Sequence, residues 1–208
     1  MSRLSADQAL QRLKEGNRRF IASTEGDARR YGPPDQRGAV RQQEPIAIVL
    51  GCSDARVPAE MVFDQGVGDL FVIRVAGNIV APSQIDSVEF AASRFGTRLV
   101  VVLGHSQCGA VLATIDEMQR DEADRSQNLR SIVDRVRPAI EALAAQSSGD
   151  RPEDLIERAV RANIFASVRQ LRQGSEGIRR LIAGGGLEIV GAEYSLETGL
   201  VEFLELQG

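Results

Sequence analysis

Five short apolar runs, at positions 46–51, 70–76, 98–104, 187–194 and 200–206, punctuate the chain. They are rich in Val, Ile and Leu and bounded by Gly, Pro or polar residues, which predicts five strands. The first and third, Ile46-Ala-Ile-Val-Leu50 and Leu99-Val-Val-Val-Leu103, are almost continuously apolar, as in strands buried on both faces of a parallel sheet. Between the runs the apolar positions follow a helical period. Pro58 suits the first turn of a short helix carrying Met61, Val62 and Phe63. Ser83 and Asp86 open another, with Ile85, Val88, Phe90, Ala91 and Phe95 inward and Gly96 closing it. A third starts at about Gly109 and runs to Met118. Two longer amphipathic helices follow, one lined by Leu129, Val133, Val136 and Ile140, the next by Leu155, Ala159, Ile164 and Leu171. Ile178, Leu181 and Ile182 make a short last helix, ended by Gly184-Gly-Gly186.

Ahead of these elements, Ser5 with Gln8 three residues later reads as a helix start. Leu10, Leu13, Phe20 and Ile21 share one face, interrupted by Gly16-Asn17. This helix and the polar stretch from Ser23 to Arg41 are expected to wrap over the body or a neighbouring subunit, outside the central core. Strands alternating with helices predict an α/β protein: a mostly parallel sheet of about four strands, a fifth antiparallel at the C-terminus through a hairpin at 195–199, flanking helices, and an N-terminal helical arm. We expect a single domain over 1–208, with 1–41 as the arm. The net charge of −4 and the scattered Arg pairs argue against nucleic acid or anionic membrane as partner. The apolar runs are too short to span a bilayer, the N-terminus lacks a signal-peptide core, and two cysteines make no disulfide framework, so a cytoplasmic setting is expected.

The chemistry concentrates in two turns. Cys52 follows the first strand; His105 and Cys108 follow the third; the chain has no other His or Cys. A Cys, a His and a second Cys form a full protein ligand set for an open zinc site, with a fourth position for water or substrate. The three converge on one crevice beyond the carboxyl ends of the sheet if strands one and three are neighbours. Singly, each would read as inert packing. A Cys52–Cys108 redox pair is the other reading, but it lacks the C-x-x-C arrangement and leaves His105 unused. Asp54, two residues beyond Cys52, can orient a zinc-bound hydroxide or bind zinc itself and close the site, and Arg56 can hold it away by a bidentate ion pair. The bland alternative for these two is a turn-stabilising Asx residue and a surface charge.

Cys52-Ser-Asp-Ala-Arg56 and His105-Ser-Gln-Cys-Gly109, with Arg74-Val-Ala-Gly-Asn78 between them, resemble the β-class carbonic anhydrases of bacterial type over nearly the whole chain. The resemblance implies one Zn2+ per subunit on Cys52, His105 and Cys108, with Asp54 and Arg56 as a catalytic dyad. It also implies Gln43 hydrogen-bonding substrate, with Phe71, Ala76, Phe90 and Gly109 around an apolar carbon dioxide pocket. Ala55 and Phe90 depart from the Ser and Tyr often found there. A second, regulatory bicarbonate pocket of some members matches Arg74 and Tyr194, but Val49 stands where the family has Trp, so no such pocket is expected. The implied assembly is a homo-oligomer, dimer or tetramer, with the N-terminal helix reaching across to the partner.

The implied reaction is reversible hydration of carbon dioxide to bicarbonate and a proton by zinc-bound hydroxide. With the only His on zinc, buffer or a carboxylate must carry the proton away. Carbon disulfide hydrolysis at the same zinc and a non-catalytic zinc site closed by Asp54 are the alternatives. A nicotinamide-dependent zinc dehydrogenase is disfavoured, because no G-x-G-x-x-G follows a strand.

Overall fold

The computed structural model describes residues 4–23, 43–121, 124, 126–144 and 152–205. A five-stranded sheet runs through it: β1 Ala47–Gly51, β2 Leu70–Arg74, β3 Leu99–His105, β4 Glu188–Tyr194 and β5 Val201–Leu204, in the spatial order β2-β1-β3-β4-β5. The pairs β2–β1, β1–β3 and β3–β4 are parallel, and β5 turns back antiparallel on β4. β1 and β3 are buried at every position, which is why no polar residue interrupts them.

Apolar residues alternate across β1 to two cores. Ile48 and Leu50 join Val100 and Val102 beneath α3 Pro82–Phe95, α4 Gly109–Gln119, α5 Arg130–Ala144, α6 Pro152–Gly174 and α7 Glu176–Ala183. Ala47 and Val49 join Val101 and Leu103 on the opposite face, beneath α1 Ala6–Ala22 and α2 Ala59–Val62. α6 can settle onto the first face because β3 and β4 offer it glycines. A Cβ at Gly104 would lie 2.5 Å from Ile164, and one at Gly191 2.8 Å from it.

α1 carries the expected capping box, with Ser5 and Gln8 each bonding the other's backbone N–H. It also runs unbroken through Gly16-Asn17, where an interruption was expected. A Cβ at Gly16 would meet the carbonyl oxygen of Phe63 at 1.8 Å, so the glycine is what lets α1 touch the end of α2. Asn17 is buried, and its side chain donates to the Val62 and Gly199 carbonyls and accepts from the Val201 N–H. With Leu13 fully buried, α1 belongs to the second core, where the sequence pattern had set it outside. The polar stretch after it, 24–42, lies outside the described residues. A second departure is Phe90: the helical period turned it inward, yet it is 54% exposed on α3, its ring 6.3 Å from Phe71 and 5.7 Å from Phe95. Gly96 closes α3 in the left-handed conformation.

The chain leaves β1 toward β2 on one side and β3 toward β4 on the other. The carboxyl ends of β1 and β3 therefore flank a topological switch point, where an open parallel sheet leaves a crevice.

Candidate metal centre

That crevice holds the cysteines and the histidine. β1 ends at Gly51, so Cys52 is the first residue past the sheet; β3 ends on His105, and Cys108 caps the N-terminus of α4. The turn between His105 and Cys108 is tight enough to hold Gln107 in the left-handed region, at φ 54°. Their ligand atoms all lie within 4.8 Å of one another, and all three residues are buried.

The donor set suits a cation. His105 Nδ1 is 2.9 Å from the Ser106 carbonyl, which can only accept, so Nδ1 carries the hydrogen and Nε2 presents its lone pair. That Nε2 is buried without a hydrogen-bond partner, a cost that a metal ion bound there would relieve. Cys52 Sγ accepts from the Gly77 N–H at 3.3 Å. Its thiol is held well below the usual range, first by the bond from the Cys108 thiol and further by His105 and Gly77, against the opposing effect of burial. Cys108 is pushed up, because its proton is shared with Cys52 and because it is buried. Two buried thiols close to an orphaned imidazole nitrogen are a ligand set that a zinc ion would fit. Burial disfavours the charged form of His105, but its contacts with Cys52 and Ser106 raise it on balance.

Asp54 stands at the rim. Arg56 grips both of its oxygens, Nε to Oδ1 at 2.9 Å and Nη2 to Oδ2 at 2.7 Å, while the Arg56 backbone N–H adds a bond to Oδ1 at 3.0 Å. The Arg56 guanidinium holds the Asp54 carboxyl well below the usual carboxylate range. Oδ2 still lies 3.8 Å from His105 Nε2.

Arg74, which the sequence offered only for a second anion pocket, lies at the end of β2 and donates to the Cys52 carbonyl at 3.0 Å and the Asp54 carbonyl at 2.6 Å. It fixes the loop that carries both residues. The turn Ala76–Asn78 brings the Gly77 N–H to Cys52, and α6 holds that turn through Asn163 to the Gly77 carbonyl and Ser167 to the Asn78 carbonyl. Neither role had a signal in the sequence beyond a polar residue on an otherwise apolar helix face.

The structure thus gathers Cys52, Asp54, Arg56, His105 and Cys108, with Ala76 beside Gly77 and Gly109 opening α4. Gln43 is exposed ahead of β1. Phe71 pairs in register with Ile48, four residues before Cys52, or about 13 Å along the strand direction. Phe71 and Phe90 share an aromatic cluster with Phe95.

Comparison with known proteins adds four findings. A family model described as carbonic anhydrase matches residues 47–201. A carbonic anhydrase of Mycolicibacterium smegmatis is 38% identical over 195 residues, covering 91% of this chain and 89% of the relative. Among solved structures, the β-carbonic anhydrase CcaA superposes with a TM-score of 0.69 at 28% identity, covering 96% of this chain and 92% of that one. A tetrameric β-carbonic anhydrase of Sordaria macrospora shares the fold, with a TM-score of 0.73 at 24% identity over 83% of this chain and 87% of that one.

Proposed function

Because the chain belongs to the β-class carbonic anhydrases, enzymes that interconvert carbon dioxide and bicarbonate, we propose that it does so with one zinc ion held by Cys52, His105 and Cys108 and with Asp54 and Arg56 as its catalytic dyad. The observation that carries this reading is the buried, partnerless Nε2 of His105 close to two buried thiols, Cys52 and Cys108. Zinc bound there would supply a Lewis-acid centre and, by acidifying a water ligand, a hydroxide nucleophile near neutral pH.

The chain's own residues do the rest. The Arg56 fork keeps Asp54 ionised and turned aside, so the carboxylate need not act as a fourth ligand. From its place near His105 Nε2, Asp54 Oδ2 would accept a hydrogen bond from a hydroxyl supplied at the centre and so orient it toward CO2. Arg74 and the Gly77 N–H hold Cys52 and the Asp54 backbone in place meanwhile. Ala76 and Gly109 lie beside the ligands, and the family resemblance adds Gln43, Phe71 and Phe90 as substrate-binding residues. The proton released passes to buffer or a surface carboxylate, His105 being committed. We further assign the chain to a homo-oligomer, as the Sordaria relative is tetrameric, acting as a single domain over 1–208 in the cytoplasm.

Zinc content and CO2 hydration, measured together on wild type and Cys108→Ala, test this. Wild type should hold one zinc per chain and turn over; the variant should lose both. A variant that keeps full activity removes the site.

A further inference from the structure

Away from this centre, the C-terminal half of α4, the turn Gln127–Leu129 and the first half of α5 enclose a cavity of about 230 Å³. Its charged lining is Glu117, Arg130, Asp134 and Arg137, with Ser126 and Gln127 between them. Both carboxylates have partners. Glu117 is ion-paired to Arg120 at 3.0 Å and accepts from the Ser126 N–H at 2.8 Å; Asp134 faces Arg130 at 3.5 Å. Arg137 has none: its Nε is buried and makes no hydrogen bond, and no ion pair joins it to a described residue. Arg137 is half-buried, but its Nε–H is held out of water with no acceptor, which is costly unless something meets it. The same fork-shaped head is the side chain best matched to carboxylate and phosphate oxygens.

We propose that this cavity binds a small oxyanion, with Arg137 as its main contact and Arg130 as a second. Phosphate and bicarbonate share the required chemistry, planar or tetrahedral oxygens spaced to accept two N–H bonds from one guanidinium. No residue of the candidate metal centre lines this cavity. Glu117 stays with Arg120 and Ser126 and Asp134 with Arg130, leaving the Arg137 Nε–H without an acceptor among the described residues.

The test is thermal unfolding of the zinc-loaded protein in chloride, inorganic phosphate or bicarbonate at one ionic strength, for wild type, Arg137→Met and Arg130→Gln. Wild type should gain Tm in a saturable way with one of the two oxyanions, and the titration then identifies which. Arg137→Met should match or exceed the wild-type Tm in chloride, because a buried N–H without an acceptor has been removed, and its apparent affinity for the oxyanion should fall at least tenfold. Arg130→Gln should weaken binding about threefold. An equal oxyanion response in wild type and Arg137→Met would place binding elsewhere, the metal centre included, and overturn the proposal. So would a wild type that responds to neither oxyanion. A Tm for Arg137→Met well below wild type in chloride would mean a purely structural arginine, with the same consequence.

Discussion

His105 spends its Nδ1–H on the Ser106 carbonyl and keeps Nε2 for a metal; Asp54 spends both oxygens on Arg56 yet remains within reach of that nitrogen. In the proposed mechanism the two residues separate holding from aiming. Asp54→Asn should retain zinc and lose about 10²-fold in hydration rate, because an amide cannot accept the hydroxyl's hydrogen with the same strength or geometry. Stopped-flow hydration with parallel metal analysis checks this, and an unchanged rate removes Asp54 from the mechanism. At this scale the cysteines, the histidine and Asp54 were legible in the sequence because each follows a strand end at short, fixed spacing. Arg74 and Gly77 were not, since each acts through a backbone contact 20 or more residues away in the chain. Phe90 misled for a related reason: the helical period marks an apolar stripe but not where its edge meets solvent.

Among the elements, α1 shows what a helix needs in order to lie on a sheet it does not join. Gly16 removes a side chain where the Phe63 carbonyl must pass, and Asn17 satisfies three backbone groups that would otherwise be orphaned. Read as a sequence, Gly-Asn looks like a helix interruption; only the identity of the facing surface makes it a contact. Asn17→Ala should cost about 3 kcal/mol, from buried donors and acceptors left unpaired. Gly16→Ala should cost a similar amount or undock α1. Denaturant titration measures both, and a wild-type midpoint for Asn17→Ala would refute the account of the α1 contact. A second element-scale prediction concerns Glu193 on β4, which bonds Arg161 of α6 at 2.8 Å. Burial raises the Glu193 carboxyl, and Arg161 opposes that rise. A raised folded-state pKa means a contribution present below the ordinary carboxylate pKa and lost as pH climbs through the raised value. Arg161→Met removes the opposing attraction and raises Glu193 further. Its Tm deficit against wild type should therefore be small in mild acid and grow toward neutral pH. A deficit independent of pH would contradict this.

At the scale of the whole molecule, the sheet order β2-β1-β3-β4-β5 makes a single crevice out of two distant turns. The parallel class and the closing antiparallel strand followed from strand–helix alternation and the final hairpin. That β1 and β3 are neighbours did not, because apolar runs do not encode their order; it could be posed in advance only as a condition. Since the ligands tie the ends of β1 and β3 together, chelating the metal should lower Tm by roughly 10 °C while leaving the buried sheet folded. Calorimetry with and without chelator reads this, and an unchanged Tm would argue against a metal bridging the two strands. The central claim, an open three-ligand centre with Asp54 held aside by Arg56, is tested most directly by the CO2 hydration rate of the zinc-loaded protein from mildly acidic to alkaline pH. Substantial turnover already at neutral pH is the predicted result. Turnover that appears only at alkaline pH would contradict it, since Asp54 would then be closing the site at rest.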